Sequence, residues 1–179
     1  MSKQKFAALD FETYYSKDYS IQGSSTYQYV HHPEFDAYLV SIWSPEVSYV
    51  GRTDDFKDWK KFEGYTFIAH NASFDQRCFE RCVELGIIPD VDVSWVCSAD
   101  MCVYFQYQRN LKGAAKEILG VDMDKGVRSN MKGKTWDDMI ATMNPKRFSS
   151  THWTTLNTPT RFGRSFGPFG LRPKDCCPT

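Results

Sequence analysis

No charge of one sign predominates in this chain. Lys and Arg number 22, Asp and Glu number 22, and the formal net charge is +0. That balance excludes a generally basic coat for polyanions and leaves only a local basic surface for nucleic acid. Long apolar runs are missing too. None approaches the roughly 18–20 residues that a membrane span requires, so no membrane segment is expected. Met1-Ser2-Lys3-Gln4-Lys5 leads straight into a short strand-like run and lacks the apolar core of a secretory signal. A soluble, cytoplasmic protein is the expectation. Six cysteines are present (Cys78, Cys82, Cys97, Cys102, Cys176, Cys177), but their spacings fit no common zinc pattern. Cys78 and Cys82 lie four apart in a helical stretch and share a face. Free thiols in a reducing compartment are expected. No internal repeat is found.

What is present describes a globular domain. The chain has 179 residues, of which 41% are hydrophobic and 16% aromatic, enough for one domain with a core plus a tail. Phe6 to Phe11 reads as a buried strand. Ala37–Trp43 and Val47–Val50 read as the next two, joined by a Ser44-Pro45-Glu46 hairpin turn. A polar, Tyr- and Ser-rich connection runs from Thr13 to Asp36. Asp54–Phe62 reads as a short helix capped by Thr53 or Asp54. Thr66–His70 is another strand, and Ser73 is the expected cap of a helix bearing Phe74, Cys78, Phe79, Cys82, Val83 and Leu85 at helical spacing. Gly86 ends that helix and Pro89 blocks its continuation. Val91–Val96 is strand-like. Asp100–Tyr107 and Leu111–Leu119 look helical, the second stopping at Gly120. Asn110 to Ala115 carries small residues suited to close helix packing. Three early strands followed by alternating helix and strand predict an α/β fold with a mixed sheet, antiparallel first and parallel after.

The composition changes near residue 143. Residues 144–179 hold six of the 22 basic residues and one of the 22 acids, Asp175, so residues 1–143 hold 22 − 6 = 16 and 22 − 1 = 21. Five of the eight prolines also fall in this tail. Its Arg161–Gly170 stretch has neither helical nor strand periodicity, and a poorly structured tail is expected. Its charges and aromatics could bind nucleic acid. Equally, it could be the product of a frameshift or an interrupted gene.

The chemistry concentrates in two places. Asp10 and Glu12 are two apart on the first strand, so their side chains leave one face. They sit at its C-terminal end, where open α/β sheets place ligands. Two carboxylates so close resist joint ionisation, and Mg²⁺ or Mn²⁺ relieves that. Asp75 follows a second strand at the start of a helix, where it could cap the helix or ligate a metal. Converging carboxylates are what a pair of hard cations needs, and paired cations cut phosphodiesters.

Leu9-Asp10-Phe11-Glu12-Thr13 resembles the first motif of the DnaQ-like 3′–5′ exonucleases, the DEDD superfamily, whose fold is RNase-H-like. Ile68-Ala69-His70-Asn71-Ala72-Ser73-Phe74-Asp75 closely resembles the second. Cys97–Met101 and Leu111–Gly120 look like the segment that follows. The texture of residues 5 to 140 is similar to the proofreading domain of bacteriophage family A DNA polymerases. The resemblance implies that Asp10, Glu12 and Asp75 are catalytic and hold two Mg²⁺ or Mn²⁺ ions. It also implies that Phe11 and Thr13 lie near the terminal nucleotide, and that Asn71 and Phe74 position the strand or hold the turn. His70 is expected to be structural or to support the metal-holding residues from behind, not to be the general base. The implied substrate is the 3′ end of single-stranded DNA, with a polymerase domain as a partner in a full-length protein.

One part of the pattern is missing. The family's third motif, Tyr-x-x-x-Asp or His-x-x-x-x-Asp, is not found. Asp138 is preceded by Lys134 and Thr135 at the relevant offsets, and Asp175 by Leu171 and Gly170. Residues 1–143 are therefore read as an exonuclease domain incomplete at its C-terminus, weak or inactive alone. Two alternatives stand beside it. One is a non-catalytic nucleic-acid-binding module of the same fold. The other is an RNase-H-like endonuclease or nucleotidyl transferase, against which the His70–Asp75 motif argues.

Overall fold

A computed structural model describes residues 4–122 and 132–142. Five strands form one sheet: β1 (Phe6–Glu12), β2 (Leu39–Trp43), β3 (Ser48–Gly51), β4 (Thr66–Ala69) and β5 (Ser94–Cys97). Their order across the sheet is β3-β2-β1-β4-β5. β1 pairs antiparallel with β2, and β2 with β3; β1 pairs parallel with β4, and β4 with β5. The sheet is thus mixed as expected, with an antiparallel half and a parallel half. β1 occupies the centre because it alone borders both halves. Ala7, Ala8, Leu9 and Phe11 are all buried, which explains its continuous apolar run.

The helices are α1 (Thr26–Val30), α2 (Ala72–Glu84), α3 (Ser98–Tyr104), α4 (Leu111–Leu119) and α5 (Trp136–Thr142). The main core gathers Leu9, Phe11, Ile42, Phe67, Trp59, Phe62 and Phe79 with Cys78 and Cys82 of α2. Phe79 meets Trp59, Phe67 and Trp95 with ring centroids 5.8 Å apart in each case. Such packing makes Phe79 a residue whose truncation costs about 3–5 kcal/mol. A second cluster joins Tyr38 and Leu39 to Tyr14, Tyr15, Val50 and Trp136 of α5. A third packs Cys102 of α3 on Ala114 and Ala115 of α4. The small residues Ala114 and Ala115 are fully buried in that contact.

Several elements differ from their sequence-based outlines. Asp54–Phe62 is not a helix; only Trp59–Phe62 forms a 3₁₀ turn. The expected caps are engaged elsewhere. Asp54 takes a two-pronged contact from Arg52, at 2.8 Å for each oxygen, and the Thr53 hydroxyl donates to the Ala37 carbonyl. Ser73 does not cap α2. The helix begins two residues earlier, at Ala72, because Asn71 turns the chain with φ 73° and ψ 47° and stands at the cap position. Val91–Val96 shortens to Ser94–Cys97, since β4 offers partners only from Thr66↔Ser94 to Ala69↔Cys97. Asp100–Tyr107 becomes Ser98–Tyr104. It stops where Gln106 adopts φ 62° and the Tyr107 amide folds back onto the Cys102 carbonyl at 2.8 Å. The connection from Thr13 to Asp36 contains α1, started by a Ser25/Gln28 capping box. Residues 144–179 lie outside the described residues.

Candidate active site

The centre of the site is one hydrogen bond. The parallel ladder between β1 and β4 ends at Ala8↔Ile68. Beyond it, the in-plane amides on that edge of β1 need other partners. The chain after β4 turns into α2 through Asn71, which brings Asp75 into the first helical turn. Asp75 Oδ1 accepts from the Phe11 backbone N–H at 3.0 Å. Phe11 stands between Asp10 and Glu12, so the bond pins Asp75 to the midpoint of the acidic pair.

Asp10 and Glu12 are half-buried, and Asp75 is 3% exposed. The Asp75 carboxyl is held well above the usual carboxylate range, first by burial and next by the charge of Asp10, with Glu12 acting in the same direction. The Phe11 amide opposes this by favouring the charged form. Asp10 and Glu12, far from Asp75 in the chain, therefore act on its carboxyl through space. Glu12 pairs across the sheet with Leu39. Burial raises the Tyr38 and Tyr29 hydroxyls, and the Glu12 charge adds to this in the same direction.

A hard divalent cation fits these residues in chemistry. The donors are oxygens, and like charges crowd one another. Directly across from Asp10 lies Ser41, fully buried, whose Oγ has no hydrogen-bond partner. Among the described residues, however, no three His, Cys, Asp or Glu side chains stand in an arrangement that would hold an ion outright.

The other expected residues divide between core and surface. The Phe11 ring is buried in the main core, and its amide is committed to Asp75. The Thr13 side chain is buried, its Oγ1 2.8 Å from the Tyr29 hydroxyl. Phe74 is half-buried, with its ring centroid 6.0 Å from that of Tyr29. Asn71 is exposed, and its Oδ1 accepts from Arg109 Nη2 at 3.5 Å. Arg109 also forms an ion pair with Asp100. His70 Nδ1 lies 3.1 Å from Ser98 Oγ, and the Ser98 hydroxyl in turn donates to the Ala69 carbonyl at 3.2 Å. Burial lowers the His70 pKa. These contacts fasten the end of β4 to α3. Tyr29 and Arg109 escaped the sequence reading. The Ser25-x-x-Gln28 capping box was the local signal that could have drawn attention to the helix carrying Tyr29.

The cysteines are as expected where they are described. Cys78, Cys82, Cys97 and Cys102 are all free, and only Cys97 is not buried. Burial pushes the Cys82 thiol up to about 12. No helix among the described residues is long and apolar enough to cross a membrane.

No protein-family model matches the chain, and no curated protein matches it. Among solved structures it is similar to NrnC of Brucella melitensis. The NrnC structure with bound Mg²⁺ is 13% identical with a TM-score of 0.49. Another NrnC structure is 14% identical with a TM-score of 0.48. Each comparison covers 91% of this chain and 76% of the other.

Proposed function

We propose that this chain is a metal-dependent 3′–5′ exonuclease domain of the proofreading type, acting on single-stranded DNA ends. The observation that carries the reading is the Phe11 amide on Asp75, which seats a third carboxylate between Asp10 and Glu12. Asp10, Glu12 and Asp75 would hold Mg²⁺ or Mn²⁺. When bound, paired cations supply a hydroxide at neutral pH and neutralise charge on the leaving oxygen. The chain's own part is placement. Phe11 fixes Asp75 through its amide. That leaves Thr13 to offer backbone contacts to a terminal nucleotide. Asn71 and Phe74, at the start of α2, would hold the strand.

The missing third motif sets the expected rate. A positioned base contributes ~10² or more, and a lost ligand a similar factor, so the domain alone is expected to be slow. A polymerase domain joined to it, as in the proteins whose motifs it resembles, belongs to the same proposal.

The test is digestion of a 5′-labelled single strand with Mn²⁺. Mononucleotides released from the 3′ end, and lost in Asp10→Ala, support the reading. Internal cleavage would favour an endonuclease. Strand binding with neither metal uptake nor cleavage would favour a non-catalytic module.

A further inference from the structure

Tyr29 carries no charge and no expected role, yet it touches both carboxylate-bearing segments. It is 3% exposed, on a helix of five residues. A helix that short does not hold its shape by itself. A Ser25/Gln28 capping box starts it, and Tyr29 ties it to the rest of the fold. The Tyr29 hydroxyl donates to the Tyr14 carbonyl at 2.6 Å. Its single proton is thereby used, so at the 2.8 Å contact the Thr13 hydroxyl is the donor and Tyr29 the acceptor. The ring stacks on Tyr19, with centroids 4.6 Å apart and planes 5° from parallel, and the Tyr19 hydroxyl donates to the Tyr29 carbonyl at 2.9 Å. Phe35 meets the ring edge-on and Phe74 at a tilt, with centroids at 6.3 and 6.0 Å.

The residues reached are telling. Thr13 and Tyr14 directly follow Glu12, and Phe74 directly precedes Asp75. We propose that Tyr29 is a positioning residue that clamps the exit of β1 to the first turn of α2, so that Glu12 and Asp75 are presented in one site. Its importance for catalysis rests on the nuclease reading above; the clamp itself does not.

Tyr29→Phe in the full chain keeps the ring and removes the hydroxyl. Amide exchange followed by NMR reads the clamp without metal. The Phe11 amide is expected to exchange about tenfold faster, while the β2–β3 ladder amides keep their rates. Thr13→Val should reproduce this from the other end of the bond, and Thr13→Ser should restore wild-type exchange at Phe11. An unchanged Phe11 rate, or one common acceleration of every amide, overturns the proposal. If Tyr29→Phe fails to fold, the Thr13→Val and Thr13→Ser pair decides alone. A Mn²⁺ titration then joins the clamp to the site, with affinity about tenfold weaker in Tyr29→Phe. Wild-type chain that takes up no Mn²⁺ would sink the nuclease reading and leave the exchange result to decide the clamp.

Discussion

The backbone amide of Phe11 and the carboxylate of Asp75 are joined at 3.0 Å across 64 residues of sequence. This bond does two things. It satisfies an amide that the sheet leaves over once β4 turns away, and it fixes a buried acid beside two others. A structural need and a chemical one meet in the same contact.

Asp75→Asn separates them. The unfolded carboxyl loses its proton near pH 3.9, roughly, whereas burial and Asp10 keep the folded one protonated to higher pH. Between those two values the folded chain binds more protons, so stability falls as pH rises through the window. The carboxamide still accepts from Phe11 but does not titrate. Metal-free Asp75→Asn is therefore expected to melt higher than wild type at neutral pH, by about 2–4 °C per kcal/mol recovered. At pH below the unfolded carboxyl's pKa the two should converge. Thermal scans in chelator from acid to neutral pH check this; parallel curves throughout would refute it.

Asp10→Asn tests the coupling from the other side. The Asp10 charge is the largest influence on Asp75 after burial. Its removal should move the Asp75 midpoint down toward ordinary carboxylates, as read by carboxyl ¹³C shifts. Any Mn²⁺-dependent hydrolysis should fall by ~10² or more, because a ligand is lost. A midpoint that stays put would mean that burial alone sets it.

The sequence displayed the parts of this site whose causes are local. Alternation along β1 was enough to place Asp10 and Glu12 on one face, and apolar runs outlined β1, β2 and β3. Helix α4 carries its own start and stop: Asn110 Oδ1 accepts from the Gly113 amide at 2.8 Å, and Gly120 ends it at φ 67°. Both signals lie within the segment, and its bounds were legible. Helix α1 had a local signal in its Ser25/Gln28 capping box, but the role of Tyr29 was hidden, because its contacts with Thr13, Tyr14, Tyr19 and Phe74 are tertiary. Thr53 and Asp54 misled because their side chains bond to Ala37 and Arg52 rather than to a helix. The Phe11–Asp75 bond has no local signal at all.

Asn71 offers a test of the turn that delivers Asp75. Its φ of 73° lies in the left-handed region, which Asn and Gly tolerate and β-branched residues do not. Asn71→Gly and Asn71→Val both lose the Arg109 contact, so their difference isolates the backbone. The valine variant is expected to be less stable than the glycine variant by about 1–2 kcal/mol. Equal unfolding midpoints in denaturant would show that the contact, not the conformation, selects Asn here.

Ser41 opposite Asp10 tests what the site holds. A buried hydroxyl without a partner costs about 1–3 kcal/mol, and replacing it by a methyl group removes that cost. In metal-free protein, Ser41→Ala is therefore expected to be neutral or stabilising. Mn²⁺ should reverse the order if the hydroxyl takes up a bond to water gathered around a bound ion beside Asp10. Wild type would then gain more in melting temperature from Mn²⁺ than Ser41→Ala does. Equal gains in both proteins would place the ion away from Ser41 and leave its hydroxyl a packing defect of β2. A destabilised Ser41→Ala in chelator would show instead that the hydroxyl is already bonded in solution.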